Sequence, residues 1–384
     1  MRITTLKPFN KQEFEHMGLL WHTDPDNTDY ISNELIHVSE AEADAYYDAC
    51  NELYDMYVEA AGYVIENNLF YELDIPNSLI DTIVQSFEED VHWHDLAGGL
   101  DGSPIKLLEF NADTPTMLYE SAAVQYALLK ANGYDSDAQF NNIYTAISQN
   151  FQRLITLSDD VSNFHEIYEG WKILFSSIRG SDEEEKTIRF LQDMAHDAGL
   201  HTDFCYVDEV QLSPTDGIFY NDTNFEFWFK FIPWENISID EPELALIIND
   251  IMANQKAIFL NPAYTILFQS KRILKILWDL YPNHPLLLET SYNPLNKKQV
   301  KKHAFGREGA NVSILDANGK PISSKDGEYA NHKAIYQEFY PLNTHNGSFY
   351  QANVFFAYEA CGLGFRKGSE IIDNYSKFVS HVID

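Results

Sequence analysis

From Ser39 to Ile65 the apolar residues Tyr46, Tyr47, Cys50, Leu53, Tyr54, Tyr57, Ala61, Val64 and Ile65 recur at helical spacing, behind a Ser39-Glu40-Ala41-Glu42 segment of capping-box form. The pattern predicts a long amphipathic helix with a buried aromatic stripe. A shorter helix is expected after Pro76-Asn77, ending near Glu88. Ala122, Ala123, Tyr126, Ala127 and Leu128 predict another, which leads into a turn at Gly133. The apolar run Trp171 to Ile178 reads as a buried strand. After it, Ser181 and three glutamates open a helical run through Phe190, Leu191 and Met194, and His201 to Val207 closes a β-α-β unit. A helix burying Ile273, Leu274, Leu277, Trp278 and Tyr281 is expected from Ser270 to just before Pro282. Asn318-Gly319 and Asp326-Gly327 carry hairpin-turn chemistry, Tyr350 to Phe356 reads as a core strand, and the glycine-punctuated stretch Gly362 to Gly368 as a flexible loop. No repeat, low-complexity tract or linker interrupts the chain, so any domains are tightly joined.

The pattern breaks informatively at Lys106-Leu107-Leu108-Glu109-Phe110-Asn111-Ala112-Asp113-Thr114-Pro115-Thr116, where a carboxylate and an amide sit two residues apart in an otherwise apolar strand. Positions i and i+2 of a strand share a face, so Glu109 and Asn111 should point together. An ionised Glu there needs a positive partner, and two hard oxygen donors aimed at one point suit magnesium. Val91 to Ala97 reads as a second strand, joined to the first by the turn-rich Gly98 to Pro104. Folding that hairpin symmetrically sets Asp95 across from Glu109, within about one rung. Three oxygen ligands on neighbouring strands would form a site suited to nucleotide phosphates. The alternative is a sheet-edge Glu paired with a Lys.

With 384 residues, 45% hydrophobic and 14% aromatic, the chain can bury a sizeable core. Its formal charge of −33 disfavours nucleic acid and anionic membrane surfaces, and favours a cationic partner unless it serves solubility alone. The N-terminus lacks a signal-like apolar segment, and a cytoplasmic location is expected. Cys50, Cys205 and Cys361 are too few and scattered for a disulfide framework and read as buried small hydrophobes.

In this acidic chain Lys297, Lys298, Lys301, Lys302 and Arg307 set five cations within eleven residues, followed by glycines at 306 and 309. Backbone N–H groups there can approach phosphate oxygens closely, although the spacing is neither a P-loop nor a dinucleotide fingerprint. A solvated charge run is the plainer reading. The acidic Glu183 to Glu185 likewise suits a helix N-terminus without further purpose. His92 and His94 share a face and open a zinc reading, but no third or fourth His or Cys ligand motif accompanies them.

With these residues in view, the chain resembles the synthetase part of glutathionylspermidine synthases, ATP-grasp ligases that join a carboxylate to an amine. The likeness is clearest from about residue 90 to 372. Its most specific element is Leu108 to Thr116, followed in order by Ser181 to Glu185, Ser270-Lys271, Lys302 with Gly306-Arg307, Ile335-Tyr336-Gln337, and Gly364-Phe365-Arg366. The resemblance implies an α/β (α+β) ATP-grasp fold with a β-α-β substrate-binding (pre-ATP-grasp) domain and permuted motif order, the metal residues preceding the nucleotide lysines. It implies three regions: 1–120 with the metal hairpin, 121–260 as the β-α-β domain, and 261–384 as the ATP-binding part.

By position, the resemblance implies magnesium ligands at Asp95, Glu109 and Asn111, and ATP contacts at Lys271, Lys302, Gly309, Gln337 and Gln351. Contacts to a glutathione-like acid are implied at Thr114, Thr116, Glu184 and Glu185, and Arg366 is implied to neutralise the transferred phosphoryl group. The implied cofactors are ATP and Mg2+, with a polyamine-like amine as acceptor; a peptide or protein terminus is another possible acceptor. One departure stands out. The family carries an arginine two residues before the metal Asp, where this chain has Trp93. Losing such a cation without a replacement costs about 3 kcal/mol of transition-state stabilisation. A degenerate ligase fold that binds a peptide or polyamine without chemistry is therefore the competing expectation. The amidase region of bifunctional relatives has no counterpart, so only bond formation is expected.

Overall fold

The computed structural model describes residues 1–88, 94–100 and 105–384, with 94–100 described through their backbone alone. An eight-stranded mixed sheet runs in the order Arg2–Thr5, Ile31–Val38, Lys377–Ile383, Glu359–Gly368, Ser348–Ala357, His94–Leu100 and Ile105–Glu109, with Asn343–His345 hydrogen-bonded to Ser348–Ala357 off that path. Only the Ile31–Val38 and Lys377–Ile383 pair is parallel, so the two ends of the chain meet in mid-sheet.

The predicted long helix spans Glu40–Glu66. Ser39 caps it, and the Ser39 and Glu42 side chains satisfy each other's backbone N–H groups. Its aromatic stripe covers one sheet face: the Tyr54 ring stacks on Phe356 at 3.8 Å, and Tyr57 meets Phe110 edge-on at 4.9 Å. The opposite face is covered by helices Gln125–Ala131 and Ile143–Thr156. Because strand side chains alternate, Val354 and Phe356 enter the first core while Phe355 and Ala357 enter the second.

A four-stranded parallel sheet, ordered Ile258–Leu260, Phe227–Phe229, Lys172–Ser177 and His201–Tyr206, contains the predicted β-α-β unit, with helix Asp182–Asp197 as the crossover. A five-stranded antiparallel sheet is ordered Thr290–Ser291, Ala334–Glu338, Gln299–His303, Ser313–Leu315 and Pro321–Ser324. The expected helices near 77–88, 120–131 and 273–280 are all present. Among the described residues, no helix is long and apolar enough to cross a membrane.

Three local expectations are corrected. Gly362 to Gly368 is not a loop but the heart of the central strand Glu359–Gly368, paired on both edges. Its glycines serve close approach. A Cβ on Gly362 would lie 2.3 Å from Ile143 Cγ1, and one on Gly364 would lie 2.5 Å from Ser121 Oγ. The turn at Asn318-Gly319 forms a hairpin as expected, with Gly319 at φ +79, but Asp326-Gly327 does not: it leads into the short helical turn Tyr329–Asn331. In the acidic hairpin, Ala97 and not Asp95 stands across from Glu109. The pairing shifts there, so that Gly98 faces Leu107 and Leu108 is the extra residue. Asp95 pairs instead with Phe355 of the neighbouring strand.

If the Gly362 site demands a bare backbone, Gly362→Ala should lower unfolding stability by about 1–3 kcal/mol through overpacking, measured by thermal or urea denaturation. A loss near zero would restore the loop reading.

Candidate active site

The extra residue at Leu108 sets the chemistry of the hairpin. It places Leu107 and Glu109 on opposite faces, since their partners Gly98 and Ala97 are consecutive. Leu107 goes to the apolar core, whereas Glu109 joins a row with Ala97 and Asn353 across three strands. Asn111 lies just past the end of the strand, yet it lines the same cleft as Glu109.

The five-stranded sheet supplies the opposite wall. From Gln299–His303, the Lys302 Nζ donates to the Leu108 carbonyl at 2.8 Å and to Gln337 Oε1 at 3.0 Å, and Gln337 in turn donates to the Leu107 carbonyl at 3.2 Å. Lys271, buried at the turn before helix Ile273–Leu280, donates to the Gly306 carbonyl at 2.6 Å and stands 3.4 Å from Glu109 Oε2. The resulting cavity of about 210 Å³ is lined by Glu109, Asn111, Lys271, Lys302, Gly309, Gln337, Gln351, Asn353 and Arg366. Gly309, at φ +70, leaves no room for a side chain: its Cβ would lie 2.5 Å from the Ile372 carbonyl oxygen.

Charge in this cleft is unbalanced. Burial alone would push the Glu109 carboxyl up, but the Lys271 and Lys302 ammonium groups outweigh it and hold the carboxyl below its ordinary value. Lys302 moves the other way: burial, with Lys271 repelling it, pushes its ammonium down to about 8 despite the Glu109 charge. One carboxylate, Glu109, thus faces two amines, Lys271 and Lys302.

A second, larger cavity of about 720 Å³ is lined by Trp21, Tyr30, Glu183, Glu184, Thr187 and Tyr375, among others. Both glutamates come from the first turn of helix Asp182–Asp197, which starts at the carboxyl ends of the parallel strands. Behind this wall Glu120 is buried and accepts from the Trp21 indole N–H at 2.8 Å; burial holds its carboxyl above the ordinary range. Thr114, Thr116, Arg307, Glu308 and Arg366 line both cavities and mark the joint between them.

Of the residues singled out from sequence, Glu109, Asn111, Thr114, Thr116, Lys271, Lys302, Gly309, Gln337, Gln351 and Arg366 converge on the first cavity, and Glu184 lines the second. Glu185 does not join them: it turns outward, accepting from Arg189 Nε and from the Tyr206 hydroxyl, each at 2.8 Å. Asp95 is placed by its backbone only. His92 and Trp93 lie outside the described residues, and among the described residues no cluster of His, Cys, Asp and Glu suits a metal ion. The basic run does not act as one patch. Lys297 pairs with Glu289 and Glu338, and Lys298 lies over the Phe339 ring, while Lys302 and Arg307 turn inward.

Sequence reasoning missed Asn353, whose buried Oδ1 has no hydrogen-bond partner among the described residues, and Glu235, which binds Arg307. The first was legible only through strand register, the second only through tertiary contact. The donor set of a Glu109 carboxylate, the Asn111 amide and an orphaned Asn353 oxygen fits a hard divalent cation.

This arrangement defines a two-chambered mixed α/β protein. Its fold is similar to that of a glutathione synthetase-like effector from Globodera pallida in its apo form, with a TM-score of 0.57, 11% identity and 98% of each chain covered. The family described as "Glutathionylspermidine synthase preATP-grasp" matches residues 1–384, and the chain belongs to that family. A Haemophilus influenzae protein named "putative acid–amine ligase" is 30% identical over 98% of this chain and 97% of its own length. The bifunctional glutathionylspermidine synthetase/amidase of Escherichia coli is 24% identical over 86% of this chain, and the trypanothione synthetase of Crithidia fasciculata 22% over 84%. The matches cover 56% and 52% of those two longer proteins.

The lowered Lys302 value has a measurable consequence. Its folded value of about 8 lies below the ordinary 10.5, so between the two the unfolded chain binds the extra proton and stability rises with pH. Wild type should gain roughly 1–2 kcal/mol over Lys302→Met between about pH 7.5 and about pH 9.5 in urea denaturation. Parallel pH profiles would show that Lys302 keeps an ordinary ammonium.

Proposed function

We propose that the chain is an ATP- and magnesium-dependent carboxylate–amine ligase of ATP-grasp architecture that forms an amide through an acyl phosphate. The observation that carries this reading is the convergence of Glu109, Asn111, Lys271, Lys302 and Arg366 on one cleft that opens into a second, acid-lined cavity. Two buried ammonium groups sharing one carboxylate leave room for anionic charge, which a polyphosphate supplies.

In this reading the nucleotide lies between the large sheet and the five-stranded sheet, contacted by Lys271, Lys302, Gly309, Gln337 and Gln351. The region 261–384, with the hairpin of 1–120, forms the nucleotide-binding part, and 121–260 presents the second substrate. Glu109, Asn111 and Asp95 would hold magnesium, with Asn353 as a further oxygen donor; when bound, the ion neutralises phosphate charge during transfer. The carboxylate of the acid attacks the γ-phosphorus, breaking its bond to ADP and giving an acyl phosphate. The amine nitrogen then attacks the acyl carbon, inorganic phosphate leaves, and the amine loses a proton.

Arg366 sits at the joint, where its guanidinium balances charge on the transferred group. Its Nη2 is held by the Asp373 and Ser376 carbonyls at 2.7 and 3.0 Å. Thr114 and Thr116 line the route of the acid. A glutathione-like peptide and a polyamine-like amine are the substrates to try first, since the Escherichia coli relative is named for glutathionylspermidine and Glu183 and Glu184 favour cationic groups. Of the two glycine-bearing segments near the cleft, 306–309 is the one that would exclude water, since 362–368 is a fixed strand.

The test is a coupled ADP-release screen of γ-glutamyl peptides against polyamines and amino acids. Wild type should release ADP only with both substrates present. Glu109→Ala and Asn111→Ala should each lose amine-dependent release, and Arg366→Lys should reduce kcat by about a hundredfold. Unchanged turnover in either alanine variant would overturn the metal assignment, and Mg-ATP binding without turnover across the screen would favour the binding-only alternative.

A further inference from the structure

Among the described residues, Arg307 and Arg366 are the two cationic side chains that line both cavities. Arg307 is held differently from Arg366. Its Nη2 and Nε both donate to one oxygen, Glu235 Oε1, at 2.6 and 3.3 Å, and its Nη1 donates to Thr114 Oγ1 at 3.0 Å. Glu235 is 3% exposed, and its other oxygen, Oε2, is buried with no hydrogen-bond partner among the described residues.

A pair built for stability would use both carboxylate oxygens, and an idle buried acceptor is a cost. Burying a carboxylate against a guanidinium is in any case weak evidence of stabilisation. What the pair does achieve is placement. The residue before Glu235 is pinned as well: Asp113 Oδ2 accepts the Trp234 backbone N–H at 2.7 Å, and the buried Lys230 Nζ donates to Asp113 Oδ1 at 3.1 Å. Asp113 is the neighbour of Thr114. The segments 113–114 and 234–235 are therefore locked to each other, and together they grip Arg307 from two sides. Three of its five N–H donors are used in this grip, leaving one on each terminal nitrogen.

We infer that Glu235 is a positioning residue that fixes Arg307 at the joint of the two cavities, where its free N–H groups meet the terminal phosphate of a nucleoside triphosphate. The inference rests on the ligase reading above. The contact is made to the terminal phosphate that a diphosphate lacks, so that Glu235 discriminates between nucleotides without touching either.

The experiment is calorimetric titration of the full chain with Mg-ADP and with the magnesium complex of the non-hydrolysable triphosphate analogue AMP-PNP. Glu235→Gln should weaken AMP-PNP binding by about tenfold while ADP binding stays within about twofold, the loss of one well-placed charged hydrogen-bond group. Arg307→Met should show the same selectivity, and the double variant should be no weaker than Arg307→Met alone, because Glu235 acts only through Arg307. Should Glu235→Gln fail to fold, Glu235→Asp and Arg307→Lys carry the same comparison, since each keeps the charge and loses the grip. An unchanged preference between the two nucleotides in the Glu235 variants, or additive losses in the double variant, would overturn the inference. Wild type that binds neither nucleotide would instead remove the ligase reading, and this inference with it.

Discussion

The arrangement on which the rest depends is the sharing of one carboxylate, Glu109, by two buried amines, Lys271 and Lys302. A buried ammonium is tolerated when an anion meets it. Here the protein supplies half of what is needed, in a chain whose acidic residues exceed its basic ones by more than two to one. The neutral amides Gln337 and Gln351 line the cleft with Lys302, and three of the four other carboxylates of the lining, Glu338, Glu370 and Asp373, are engaged by Lys297, Lys298 and Lys325. Burial is the main cause of the lowered Lys302 value, and the Glu109 charge does not offset it.

This electrostatic arrangement needs an architecture that delivers three distant segments to one place. The shifted pairing at Leu108 turns Glu109 away from the core that takes Leu107. Strand Gln299–His303 brings Lys302 down onto the backbone of the same hairpin, so the ammonium reads the Leu108 carbonyl as well as the glutamate beyond it. Lys271 is fixed by the Gly306 carbonyl, which ties it to the loop that follows that strand. The large sheet underneath carries Gln351, Asn353 and Arg366 on adjacent strands, paired Gln351 to Arg366 and Asn353 to Gly364. Glycine at 364 lets Ser121 and its helix close on the face that also carries Asn353 and Arg366, and this holds the sheet in position.

Much of this was legible from the chain itself, for physical reasons that differ by element. Helix Glu40–Glu66 was readable because its cap and its aromatic period are both local. The β-α-β unit was readable because a buried strand, an acidic helix start and a second strand follow one another without interruption. Glu109 and Asn111 announced themselves as polar residues in an apolar context. The glycines from 362 to 368 misled because close packing and flexibility leave the same mark in a sequence, and only Ile143 and Ser121, both more than two hundred residues away, tell them apart. Register failed at Asp95 for a related reason: a single extra residue in one strand moves every pair beyond it, and nothing in Leu107-Leu108 marks which of the two is extra. Glu185 and Glu184 are neighbours on one helix, and their separation into outward and inward positions follows from where Arg189 and Tyr206 lie.

The long-range field of the protein works against its proposed substrate. A charge of −33 repels a nucleotide polyphosphate in bulk solution, and a Debye length of about 8 Å at physiological ionic strength confines that repulsion to the near surface. Inside the cleft Lys271, Lys302, Arg307 and Arg366 face the same small volume. Steering by net charge therefore favours a cationic partner, which in the proposed reading is the amine, and the second cavity is lined by glutamates. Nucleotide capture has to depend on short-range fit instead. A magnesium-complexed polyphosphate, with part of its charge already neutralised, meets less repulsion on the way in than the free anion does, and in the proposed reading that asymmetry would give the donors around Glu109 a role in capture as well as in transfer.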